Sequence, residues 1–174
     1  RKLDPAILRE YDIRGVVGDK FNLADVRSIG RGFGSILKKQ TSGKKNPIVA
    51  VGYDGRLSSP KLSNAICEGV IDSGVDVVNI GLGPTPMLYF TTHELATDGG
   101  LMITGSHNPP AYNGIKMVLG GRPFFGADIQ KLGELVACGD FTKGSGKVRK
   151  LGINSRYTER LLRDFSGKKE LNVA

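Results

Sequence analysis

The chain has 174 residues, 39% hydrophobic and 24% charged, enough for one globular domain with a real core. No apolar run approaches the roughly 18 residues of a membrane span, and no signal-peptide h-region stands at the N-terminus. The net charge of +8 raises a nucleic-acid reading, but nine Lys/Arg against four Asp/Glu fall from Asp140 onward, and no aromatic residues interleave to build a stacking platform. Much of the remaining charge sits around Lys38, Lys39, Lys44 and Lys45. A solvated surface accounts for it, and a positive field would also draw an anionic small substrate.

Residues 22–39 read as an amphipathic helix, capped by Asn22 or Asp25, with Val26, Ile29, Phe33, Ile36 and Leu37 at helical spacing. Gly30-Arg31-Gly32-Phe33-Gly34 inside it fails the dinucleotide fingerprint, since the third glycine is misplaced and no strand precedes it. Close helix packing is the better account of these glycines. A polar loop over 40–46 leads to the apolar run 47–52, the pattern of a strand buried on both faces. Ser59 as N-cap and Pro60 in the first turn open a second helix through Leu62, Ile66 and Val70, stopped by Gly74.

Residues 75–80 form a second buried strand. Pro84 and Pro86 stiffen the next loop, and a short helix carries Leu88, Phe90 and Leu95. A third strand occupies 101–104. The following strand, 115–119, comes about ten residues later across two prolines, too short a span for a parallel crossover, so it should run antiparallel. A helix over 127–138 returns across the sheet, 139–146 is a loose connector, 154–165 is another helix, and 171–174 begin a new strand. The expected fold is a three-layer α/β/α domain on a mixed four-stranded sheet, three strands parallel and one antiparallel. Residues 1–150 should form this domain and 151–174 should lead into a second. A chain that starts at Arg1 and stops at Ala174 is expected to be part of something longer.

Cys67 and Cys138 both fall on apolar helix positions, as suits buried, reduced thiols in a cytosolic protein, and no Cys/His spacing fits zinc.

In open α/β sheets ligands bind beyond the carboxyl ends of the strands. The loop after the third strand is the richest there in reactive side chains, with Ser106, His107, Asn108, Tyr112 and Asn113, and Lys116 on the strand that leaves it. A serine-hydrolase elbow is excluded because Asn108 stands where glycine is needed, and adjacent His107 is badly placed as a base for Ser106. A P-loop is excluded because Gly146-Lys147-Val148 lacks the upstream glycine and the Ser/Thr. The residues alone leave a phosphate-handling loop or an ordinary turn. Asp54 and Arg56 read as phosphate contacts or as an internal salt bridge. Asp12 should pin the loop carrying Arg14 by hydrogen bonds, Tyr112 should pack the loop, and His93 should be a surface or packing residue.

Four segments, in order and in register, resemble the first domain of the α-D-phosphohexomutase superfamily in its phosphomannomutase/phosphoglucomutase branch. They are Tyr11-Asp12-Ile13-Arg14-Gly15, Asp54-Gly55-Arg56-Leu57-Ser58, Gly83-Pro84-Thr85-Pro86, and Thr104-Gly105-Ser106-His107-Asn108-Pro109 with Asn113-Gly114-Ile115-Lys116. The resemblance implies that Ser106 is a phosphoserine that exchanges its phosphoryl group with a hexose 1- or 6-phosphate through a hexose 1,6-bisphosphate. It further implies that Arg14 and Lys116 hold the phosphoryl charge, that Lys116 exchanges a proton with the sugar hydroxyl, that His107 and Asn108 orient the phosphoryl oxygens, and that Tyr11 contacts substrate. Magnesium would bind one phosphoserine oxygen of Ser106 and carboxylates of a second domain. Those carboxylates and the remaining domains, partners within the same polypeptide, lie outside this chain, so the chain alone is expected to be inactive. The rival readings are a non-catalytic sugar-phosphate-binding domain and a basic nucleic-acid-binding module.

Overall fold

The computed structural model describes residues 2–43, 46–165 and 167. The expected strand over 171–174 and Lys44 and Lys45 lie outside these described residues. In chain order the elements are β1 (Ile13–Val16), α1 (Leu23–Gln40), β2 (Ile48–Tyr53), α2 (Ser59–Asp72), β3 (Asp76–Leu82), α3 (Thr85–Glu94), β4 (Gly99–Ile103), β5 (Tyr112–Leu119), β6 (Arg122–Pro123), α4 (Ala127–Cys138), β7 (Val148–Lys150) and α5 (Asn154–Arg163). No helix among the described residues is long and apolar enough to cross a membrane.

The sheet order is β1-β5-β4-β2-β3-β7, with β6 paired to β5. Strands β4, β2 and β3 run parallel and β5 antiparallel to β4, the expected central arrangement. The sheet is wider than expected, because β1 joins β5 antiparallel, β7 joins β3 parallel and β6 closes a hairpin with β5. These strands have two to four residues each, and β6 and β7 are exposed throughout. Neither an apolar run nor a clean alternation marks them, so local sequence carried no strand signal there.

Alternation along the strands splits the core into two layers. Val49, Val51, Leu101 and Ile103 face α1, α2 and α4, in one cluster with Phe33, Ile66 and Val136. Ala50, Val78 and Met102 face the other side, in a cluster with Leu88 of α3 and Ile153 at the start of α5. Phe90 of α3 and Tyr157 of α5 meet ring to ring at 5.5 Å.

Helix α1 begins in a full capping box: Asn22 Oδ1 accepts from the Ala24 and Asp25 amides, and Asp25 Oδ2 accepts from the Asn22 amide. Its glycines are packing positions. A Cβ at Gly30 would lie 2.5 Å from the Ile66 carbonyl oxygen of α2, and one at Gly32 would lie 2.7 Å from a Leu132 methyl of α4.

Three local expectations are corrected. Ser59 is the first residue of α2, Ser58 holds the cap position without a side-chain cap bond, and the Ser59 hydroxyl is drawn into a tertiary network described below. Cys67 is buried, and burial pushes its thiol up to about 12, but Cys138 is exposed at the last turn of α4, where the helix has run past the edge of its apolar stripe. The connector 139–146 is tied down rather than loose. Thr142 donates from its amide to Ser35 Oγ (3.0 Å) and from its hydroxyl to the Ser73 carbonyl (2.9 Å), and the Gly146 amide reaches the Ile71 carbonyl (2.9 Å).

Candidate functional site

Helix α3 packs on β2 and β4. On the same side, residues of β1 and β5 face an open cleft of about 700 Å³, lined by Arg9, Glu10, Tyr11, Asp12, Arg14, His107, Asn108, Pro109, Tyr112 and Lys116. The register explains the grouping. Arg14 lies opposite Gly114 and Ile13 opposite Ile115, so alternation puts Asp12, Arg14 and Lys116 on one face and Ile13 and Ile115 in the core on the other.

Tyr11, Arg14, His107, Asn108 and Lys116, all expected from the sequence, therefore come together. Ser106 is not among the lining residues; it is exposed in the chain just before His107. Tyr11 is exposed, with its ring 6.3 Å from that of Phe125. Asp12 is buried, and its Oδ2 accepts from an Arg14 terminal nitrogen and from Lys116 Nζ at 3.4 Å. Asp12 does hold Arg14, as expected, and it holds Lys116 as well. Arg14 and Lys116, expected to hold the phosphoryl charge, thus share a carboxylate. Arg14 Nε is buried with no hydrogen-bond partner among the described residues.

The backbone of Ser106 has φ of 51°, a left-handed conformation that a non-glycine residue adopts at a cost of about 1–3 kcal/mol. What holds it there is Arg56. The guanidinium donates to the carbonyls of Ser106 (3.0 Å), Asn108 (2.6 Å), Pro109 (2.7 Å) and Tyr112 (3.0 Å), one side chain binding both ends of the loop. Gly105 is glycine because a Cβ there would collide with the Arg56 guanidinium. Asp54 completes the clamp: its Oδ2 lies 3.4 Å from Arg56 Nε and accepts from the Gly105 amide (3.1 Å), and its Oδ1 accepts from the Arg56 amide (3.1 Å) and Ser59 Oγ (2.5 Å). Asn113 Nδ2 donates to Ser58 and Ser59 Oγ at 2.8 Å each, linking the start of β5 to the same network. Of the two roles open for Asp54 and Arg56, the internal tie between loops is the one the fold builds. His93 is on the surface, and Tyr112 both lines the cleft and anchors Arg56 through its carbonyl.

The comparisons bear on what this arrangement is for. A family model described as phosphoglucomutase/phosphomannomutase, alpha/beta/alpha domain I, matches residues 5–143. The chain belongs to this family. It is 40% identical over 171 residues to a phosphomannomutase/phosphoglucomutase of Pseudomonas aeruginosa (strain PAO1), covering 98% of the chain and 36% of that protein. It is 39% identical over 170 residues to a phosphoglucomutase of Neisseria gonorrhoeae, covering 97% of the chain and 36% of that protein. A crystal structure of a phosphoglucomutase/phosphomannomutase family protein from Burkholderia thailandensis superposes with a TM-score of 0.88 at 38% identity, over 96% of the chain and 37% of that structure. The chain thus spans about a third of the length of these relatives.

Within this phosphohexomutase domain, Arg9, Glu10 and the place of Ser59 in the Asp54 network escaped sequence reasoning. Arg9 and Glu10 line the cleft just after the 3-10 turn Pro5–Ile7, and no periodicity announces it. No group of three or more His, Cys, Asp or Glu able to hold a metal occurs among the described residues. Asp12 and Asp54 are committed to internal cations and hydrogen-bond donors.

Burial alone would raise the Asp54 carboxyl, but its hydrogen bonds from Ser59, the Arg56 amide, Thr104 and the Gly105 amide outweigh burial and hold it below the usual carboxylate range. A carboxyl lowered in the folded state adds stability that is present above its unfolded value, near about pH 4, and is lost as pH falls through the folded value. The thermal midpoint should therefore drop as pH falls below about 4, and Asp54→Asn should show a smaller drop. Parallel melting curves across that range check it; an equal drop in both proteins would refute the assignment.

Proposed function

We propose that this chain is the serine-bearing first domain of a longer phosphohexomutase that interconverts hexose 1-phosphate and hexose 6-phosphate, of glucose or mannose. Ser106 carries the phosphoryl group, and a hexose 1,6-bisphosphate is the intermediate. The observation that carries this reading is the setting of Ser106: exposed, held left-handed on a clamped loop, and next to a cleft lined by Arg14 and Lys116. A phosphoserine there would bring about −1.5 to −2 charges to a site already furnished with two cations.

In the first half-reaction the hexose hydroxyl oxygen bonds to phosphorus, and the P–Oγ bond to Ser106 breaks. The hydroxyl proton is relayed through Lys116 to solvent, and a proton from solvent restores the Ser106 hydroxyl. Arg14 holds the phosphoryl oxygens, His107 and Asn108 orient them, and Tyr11 contacts the sugar. After the bisphosphate turns over, the second half-reaction runs in reverse with its other phosphate. Magnesium would be held by a phosphoserine oxygen of Ser106 together with carboxylates from outside the chain and would neutralise phosphoryl charge. The chain alone is proposed to be inactive for the same reason.

The test is incubation of the full-length protein with hexose 1,6-bisphosphate labelled in phosphate, followed by peptide mapping. The expected label sits on Ser106 and is absent from Ser106→Ala, with mutase turnover lost. Full turnover in Ser106→Ala would refute the reading, and tight sugar-phosphate binding without any label would favour the non-catalytic binding domain.

A further inference from the structure

We propose that Asp12 is a positioning residue of this site, one that opposes ground-state anion binding while holding Lys116 where turnover needs it. The proposal rests on the mutase reading for its kinetic part only. Asp12 is one of the few buried acidic residues, 5% exposed, and it is separated from Lys116 by 104 positions of sequence. The antiparallel register of β1 on β5 brings them together. One oxygen, Oδ2, serves both Arg14 and Lys116. A carboxylate in that place has two consequences.

The first concerns binding. Any phosphate entering the cleft competes with Asp12 for the same two cations and meets its negative charge at short range. Removing the charge of Asp12 should therefore tighten anion binding by at least about tenfold, the effect a unit charge has even at about 10 Å with an effective dielectric constant near 20.

The second concerns turnover. Lysine has a long, freely rotating stem, and an ammonium beside a guanidinium is pushed toward solvent unless an anion spaces them. Lys116 is 30% exposed, so it has room to leave. Without Asp12 the proton-transfer group is present but mislocated, and general acid–base assistance of roughly a hundredfold or more is at stake.

The experiment uses Asp12→Asn, which keeps the shape and an acceptor oxygen, in both the chain and the full-length protein. Inorganic phosphate is the binding probe, measured by calorimetry, and kcat and KM for hexose 1-phosphate are measured beside it. Asp12→Asn should bind phosphate at least about tenfold more tightly while kcat falls at least about tenfold and KM does not rise. A merely structural role would weaken both together. Unchanged phosphate affinity, or an unchanged kcat, would overturn the proposal. If Asp12→Asn fails to fold, Asp12→Glu keeps the charge but moves it: wild-type phosphate affinity with a lowered kcat is expected, and a wild-type kcat would overturn the positioning role. Absence of bisphosphate labelling in the wild-type protein would sink the mutase reading alone, since the phosphate comparison needs no turnover.

Discussion

Arg56→Ala is expected to slow the phosphoryl transfer proposed for Ser106 by about a hundredfold or more, with a much smaller change in KM. Arg56 is not among the residues that line the cleft. Its guanidinium binds four carbonyls spread from Ser106 to Tyr112, and Asp54 fixes the guanidinium in turn. Hydrogen bonds from a charged donor contribute about 1.5–3 kcal/mol each, enough together to hold one serine in a left-handed backbone. Without them the 104–112 turn relaxes, and a nucleophile displaced by about 1 Å loses on the order of a hundredfold in rate. The measurement is single-turnover labelling by hexose 1,6-bisphosphate, with amide hydrogen exchange over 104–112 as the structural readout. Arg56→Lys should rescue only partly, because an ammonium offers three donors from a point and cannot reproduce the planar fork. Wild-type labelling kinetics in Arg56→Ala would mean the loop holds its shape unaided.

Gly69→Ala is expected to destabilise the domain by about 3 kcal/mol, which for a chain of this size lowers the melting midpoint by roughly 6–12 °C. Helices α1 and α2 touch backbone to backbone through reciprocal glycines. Gly30 faces the Ile66 carbonyl, and a Cβ at Gly69 would run into the Arg27 carbonyl and come within 2.8 Å of the Arg31 amide nitrogen. The obstruction is backbone on both counts, so no side chain can rotate away, and the helices must separate along the interface that carries Val26, Ile29, Ile66 and Val70. Gly152→Ala, where a Cβ meets nothing within 4 Å, should stay within about 0.5 kcal/mol of wild type. Denaturant unfolding of the three proteins distinguishes these outcomes, and a loss below about 1 kcal/mol for Gly69→Ala would show that α1 and α2 can slide apart cheaply.

How much of this was legible beforehand follows from the kind of signal each feature leaves. Helix α1 declared itself through its period of apolar residues and its capping pair, and β2 through an unbroken apolar run, because burial of a face imprints a local pattern. The antiparallel turn of β5 could be read from the short, proline-bearing link after β4. Edge strands β6 and β7 are exposed, and β1 is four residues long with Ile13 as its one large buried side chain, so none left such an imprint. Cys138 was misplaced because an apolar position in the last turn of a helix is buried only if the neighbouring layer extends that far. The glycines of α1 were recognised as packing positions, but their partner Gly69 was not, since a single glycine in α2 shows no pattern.

What the sequence determined by itself was the alternation of strand and helix, the reversal at β5, and the reactive loop at 104–109 whose motifs resemble a phosphohexomutase. Short-range spacing encodes each of these. Only the tertiary structure decided that Arg56 reaches about fifty residues along the chain to clamp that loop, and that Asp12 binds Lys116 as well as Arg14. Those pairings depend on sheet order and on the register between β1 and β5, and polar residues meet there because of where the strands lie, which no local periodicity records.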